Sequence, residues 1–211
     1  PYATGDWGNY PKAAAQGLLE RFPERGAAAR GFHAVIHGDI PPAAGLSSSS
    51  AMVVLAALML LESWQSPLPG PELAALLARA EQYVGTQGGG MDQAASLLSR
   101  SGMALKIDFF PLRVTPAPLP RGYVFVVADT LVKAAKTAEA LDKYNRRPIE
   151  CRLAVAVLCR RLAERLGRAV PAERLGDLAQ PAVGLSPSQL LSEVRQALHP
   201  APYSLEEIAR I

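Results

Sequence analysis

The residues best suited to chemistry lie in two short stretches. The first is PPAAGLSSSSA at 41–51. A strand pattern leads in and an apolar helix pattern leads out. The first turn of such a helix carries backbone N–H groups with no internal partner, at the positive end of the macrodipole. Gly45 lets a bulky anion approach the backbone, and Ser47, Ser48, Ser49 and Ser50 add hydroxyl donors. A phosphate there gains several hydrogen bonds without burying a counter-charge. No Lys follows, so the stretch is not a Walker A loop. The bland alternative is a serine-rich cap on a core helix.

The second stretch is GTQGGGMDQ at 85–93. Gly88, Gly89 and Gly90 make a turn with little side-chain bulk, and Asp92 enters a helix start. An acid there is stabilised by the helix dipole, which is its bland reading. The functional reading is a carboxylate beside a phosphate site, able to take a proton from an attacking hydroxyl. Phosphoryl transfer needs positioning, charge neutralisation and an oriented nucleophile. An anion loop and a nearby Asp supply two of these.

Around these stretches the pattern predicts the elements that hold them. Residues 11–22 form an amphipathic helix ended by Pro23. Residues 32–40 alternate as a strand, stopped by Pro41 and Pro42. The helix at 48–63 is apolar all round and should be buried. Another helix starts at Pro71, carries Leu73, Leu76, Leu77, Ala80 and Val84 at helical spacing, and closes at Gly85. Glu81 lies late in it, where an acid is ordinarily solvated. Strands are expected at 103–109 and 123–130, with a proline-rich connection between. From 131 onward the chain reads as helical, with a long helix over 148–166 closed by Gly167. Ser186 with Gln189, and Ser204 with Glu207, have capping-box spacing.

Several classes are excluded. The 211 residues fit one large domain or two small ones. At 49% apolar and 19% charged, the chain is neither disordered nor in need of disulfide staples. The net charge of +3 comes without a run of five basic residues, which argues against nucleic acid. Arg152, Arg160, Arg161, Arg165 and Arg168 read as a solvated helix face. The apolar run Ala51–Leu61 is too short for a bilayer, and no signal peptide opens the sequence. His33, His37 and His199 show no metal-ligand spacing. Cys151 and Cys159 share one helix about 12 Å apart, too far to bridge, so a reducing cytoplasm fits best. Beginning at Pro1 rather than Met, the sequence is expected to be a piece of something longer.

In these motifs the sequence resembles the galactokinase branch of the GHMP kinases. The family's P-x-x-x-G-L-S-S-S stands here as PPAAGLSSS (41–49), and G-G-x-M-D-Q as GGGMDQ (88–93). KYNRRPIECRLA (143–154) is similar to the segment around the family's sugar-contacting tyrosine, and GDWGNY (5–10) to one near its adenine pocket. The resemblance implies an α+β chain of the GHMP kinase fold with two α/β-sandwich-like domains. Residues 1–130 would be the rest of an S5-domain-2-like ATP-binding domain, and 131–211 the start of a ferredoxin-like one. The family's N-terminal R-x-N-L-I-G-E-H-x-D-Y segment and its C-terminal glycine-rich motif do not occur in 1–211. Residues 1–211 alone are therefore expected to be inactive and poorly soluble, with helix 48–63 partly uncovered.

By the same resemblance, Asp92 takes the proton of the sugar's anomeric hydroxyl. Gly45, Leu46, Ser47, Ser48 and Ser49 surround the phosphates of ATP. Ser49 and Glu81 hold Mg²⁺. Gly90 and Tyr144 join Asp92 on the sugar side, Lys136 lies near the nucleotide, and Trp7 and Tyr10 flank the adenine. The implied partners are ATP and a small sugar, with no nucleic acid and no membrane, in a monomeric cytoplasmic parent. Galactose is the default sugar, with N-acetylgalactosamine and arabinose as alternatives. The rival is a non-catalytic sensor that binds ATP and galactose. An undeleted Ser49-Ser50-Ala51 and the presence of Asp92 favour the enzyme.

Overall fold

The computed structural model describes residues 3, 5–28, 32–131 and 138–210. They fall into two compact units, 1–144 and 145–211. The described residues are mostly helical, with one two-stranded sheet.

In the first unit, α1 (Asn9–Arg21) is followed by the single turn α2 (Arg25–Ala28), then by α3 (Ser48–Trp64) and α4 (Gly70–Ala80). Ala14 and Leu18 of α1, Val53, Ala57 and Leu61 of α3, and Leu73 and Leu77 of α4 form the core. Gly17 matters here, because a Cβ on it would lie 2.7 Å from the Cβ of Ala80. The sequence pattern carried α4 through Val84. Its last turn instead tightens to a 3₁₀ turn, Glu81–Val84, closed by Gly85 at φ +96°. Helix α3 is buried on one face only, since Leu55 and Leu58 are exposed on the other. Its apolar surround calls for burial on every side, and the described residues leave it partly uncovered, as expected of residues 1–211 alone.

Helix α5 (Met91–Leu98) leads into β1 (Met103–Asp108), which pairs antiparallel with β2 (Arg113–Pro118) from Met103↔Pro118 to Asp108↔Arg113. The sequence pattern made 113–118 a connection because of its prolines. In a two-stranded sheet each strand is an edge, and an edge tolerates a residue without an N–H. The expected strands at 32–40 and 123–130 do not form among the described residues. Val35 and Val126 are 98% and 88% exposed. Alternation defines the face a strand would bury, but a strand also needs a neighbouring ladder. The two α/β-sandwich-like domains implied by the resemblance are thus not built by the described residues, which are mostly helical with one two-stranded sheet.

Helix α6 (Ala138–Leu166) runs ten residues further N-terminally than the pattern from Pro148 implied, with Pro148 inside it. In the second unit its Leu158 and Leu162 are fully buried against Val170, Leu178 and Val183. Helix α7 (Pro187–Ala197) begins at the Ser186/Gln189 capping box and α8 (Leu205–Ala209) at the Ser204/Glu207 box, as their spacing predicts. The arginine face is exposed, as its pattern predicts, and part of it also bonds to the unit. Arg161 Nε donates to Glu193 Oε2 at 2.9 Å, Arg165 donates to Glu193 Oε1, and Arg168 reaches the carbonyls of Ala182 and Val183. Those three arginines are tied to the body of the unit while their face stays solvated, the side chains of Arg161 and Arg165 being 40% and 46% exposed. Neither Cys151 nor Cys159 is in a disulfide. Among the described residues no helix is long and apolar enough to cross a membrane.

Candidate functional site

The loop before α3 has an unusual backbone. Ala43, Gly45 and Ser47 adopt φ of +59°, +75° and +55°, alternating with residues of ordinary φ. Such alternation turns successive N–H groups toward one concavity and suits an anion. Positive φ is uncommon for Ala and Ser, and such backbone concentrates at functional sites. A Cβ on Gly45 would meet nothing within 4 Å. Its role is therefore conformational, and the space beside it is open. The bland reading of Ser47 fails. Its carbonyl accepts the N–H of Ala51 at 3.0 Å, but its side chain makes no capping hydrogen bond.

From this loop α3 turns inward. Ser50, one turn before Val53 and Val54, lies on the buried stripe. Its Oγ donates to Glu81 Oε2 at 2.8 Å. Glu81 is only 6% exposed, which overturns its reading as a solvated acid. It continues the buried stripe of Ala74 and Leu77 into the 3₁₀ turn. Gln93, buried in the first turn of α5, donates its Nε2–H to the same Oε2. Three segments distant in sequence therefore meet at one carboxylate oxygen.

That junction brings the two sequence motifs together. Asp92 is half-buried in the residue before Gln93. Gly90 opens α5 at φ +92°, and a Cβ there would lie 2.7 Å from the Cβ of Ala78 on α4. Its missing side chain seats α5 on α4. Gly88 and Gly89 have open space instead. Ser48 and Ser49 are half-buried in the same first turn of α3 as Ser50, and Leu46 is exposed in the loop.

The remaining expected residues are placed elsewhere. Tyr10 packs half-buried against the core of the first unit, while Trp7 is 64% exposed. Tyr144 stands exposed on α6 as the last residue of the first unit. Lys136 lies outside the described residues. Sequence places Ser50 among the loop hydroxyls and Gln93 inside its motif, but it does not join either to Glu81. The available signal was their position, since each is a polar residue on the inward stripe of its helix.

The donor set suits a hard cation. Its carboxylate, Glu81, is a ligand Mg²⁺ takes, and Mg²⁺ sites commonly combine one or two carboxylates with substrate phosphates. Among the described residues no cluster of three or more His, Cys, Asp or Glu offers an all-protein cage. Glu81 is buried with neutral donors at its oxygen, and no described Lys, Arg or His is paired with it. A buried carboxylate in that state favours an incoming cation.

Comparison with known proteins finds relatives for the chain. Residues 9–100 match the family model described as GHMP kinases N terminal domain. The galactokinase of Dictyostelium discoideum is 34% identical over 209 residues, which is 97% of this chain and 40% of that protein. That of Saccharomyces cerevisiae is 36% identical over 170 residues, covering 74% of this chain and 32% of its own length. That of Chloroflexus aggregans is 38% identical over 154 residues, covering 72% and 37%. The chain thus spans well under half the length of these relatives.

Proposed function

We propose that the chain, whose residues 9–100 match the GHMP kinase N-terminal domain, carries the phosphate site and catalytic acid–base group of an ATP-dependent sugar 1-kinase of the galactokinase type. The observation that carries this reading is the meeting of Ser50, Glu81 and Gln93, which joins the serine loop to the turn holding Asp92.

In this reading Gly45 to Ser49 bind the phosphates of ATP through backbone N–H groups and hydroxyls. Ser49 and Glu81 hold Mg²⁺, which when bound neutralises charge on the phosphates. Asp92 accepts the proton of the anomeric hydroxyl, with Gly90 beside it on the sugar side. The sugar oxygen forms a bond to the γ-phosphorus as the bond to the β–γ bridging oxygen breaks. The products are an α-sugar 1-phosphate and ADP. Tyr144 contacts the sugar, and Trp7, Tyr10 and Lys136 serve the nucleotide. Galactose is the first substrate to test, because each of the three relatives named is a galactokinase.

The test is Asp92→Ala in the full-length protein, with ADP release measured on galactose, N-acetylgalactosamine and arabinose. Loss of a general base lowers turnover by about 10²–10⁴-fold. Turnover retained within about tenfold would remove Asp92 from that role. Sugar and ATP binding without ADP release from the unsubstituted protein would favour a sensor.

A further inference from the structure

Glu81 is held in an unusual way for a buried acid. Ser50 on α3 and Gln93 on α5 both donate to Oε2. Oε1 receives neither of these bonds. The two donors come from helices that reach the 3₁₀ turn from different places in the sequence, so the carboxylate is fixed by two independent supports. Both are neutral, so they orient the carboxylate without compensating its charge. A cationic partner would have competed with an incoming metal. A hydroxyl and a carboxamide do not.

We propose that Gln93 and Ser50 are positioning residues that lock the orientation of Glu81 toward the metal held with the phosphates. This rests on the metal role of Glu81 given under the proposed function. Gln93 also couples the metal ligand to Asp92, its chain neighbour on α5. Partners that orient a metal ligand typically alter metal affinity by about 10–100-fold when removed.

The experiment uses the full-length protein saturated with a non-hydrolysable ATP analogue. Mn²⁺ is titrated, and free Mn²⁺ is read by its paramagnetic resonance signal. Gln93→Met keeps the bulk and removes the donor. It is expected to weaken Mn²⁺ binding by about tenfold or more. Ser50→Ala should act in the same direction, and Ser50→Thr, which keeps the hydroxyl, should restore affinity. In turnover, the loss should appear as a raised Mg²⁺ requirement, with kcat recovering at saturating Mg²⁺. A merely structural role would not produce that split. Unchanged Mn²⁺ affinity in Gln93→Met and Ser50→Ala, with Glu81→Gln defective, overturns the positioning role and leaves the metal reading standing. Unchanged affinity in Glu81→Gln overturns the metal reading and the proposal with it. If circular dichroism shows Gln93→Met misfolded, the Ser50 pair decides.

Discussion

Among the described residues each unit buries one glutamate, and the two are held in opposite ways. Glu193 of α7 is 5% exposed and sits between Arg161 and Arg165 of α6. Glu81, just after α4, is buried to the same degree and meets only a hydroxyl and a carboxamide at its engaged oxygen. The charge of Glu193 is answered within the chain. The Arg161 hydrogen bond, with the Arg165 charge beside it, holds its carboxyl below the usual range. Glu193 is a clamp between two helices. The charge of Glu81 has no cationic answer among the described residues, so it is available to a ligand. Burial alone does not separate a structural acid from a functional one; the charge of its partners does.

Substitution can break that contrast. The largest effect is expected at Glu81. In the full-length protein, Glu81→Gln should lower ADP release by at least about 100-fold, in the range of lost transition-state charge stabilisation. It should leave the melting temperature unchanged or raised, because a carboxamide can still accept from Ser50 and carries no buried charge. A steep fall in melting temperature with turnover retained would make Glu81 a second clamp.

Glu193→Gln should give the mirror image, with a smaller effect. Two guanidiniums would face a neutral group, so calorimetry should show a lowered melting temperature while turnover well below it barely changes. A turnover loss matching that of Glu81→Gln would dissolve the distinction. The smallest effect is the pH dependence. Because the pKa of Glu193 is lowered from 4.5, its contribution is fully present above that value and is lost as pH falls through the lowered one. Urea unfolding followed across that acid range should show a slope that Glu193→Gln flattens. An identical slope in the variant would assign the acid sensitivity to other groups.

What was legible in the sequence follows the range of the interactions. Helices α1, α3, α4 and α7 rest on periodicity within a few turns, and Ser186 with Gln189 marks a helix start by local hydrogen bonds. The strands expected at 32–40, from alternation, and at 123–130, from an apolar run, have no ladder among the described residues, and pairing is not a local property. In β2, Pro116 and Pro118 concealed a strand because edge pairing excuses a missing N–H. At the site, the serine loop and Asp92 were visible as motifs. The convergence of Ser50 and Gln93 on Glu81 was not, because that partner lies 31 and 12 residues away. Glu81 looked solvated because its helix was read without the turn that carries it inward.

The contact of Gly90 with Ala78 has a mechanical consequence. Ala78 and Glu81 lie three residues apart, one seating the Asp92 turn and the other receiving the side chain of Gln93. Helix α4 is therefore a jig for two acids with different proposed tasks, and both are referenced to one rigid bar rather than to the exposed loop at 41–46. The tolerance of that jig is a single absent methyl group at residue 90. Adding one would wedge α5 off α4 and shift the proton acceptor relative to the metal ligand, although neither acid had been changed.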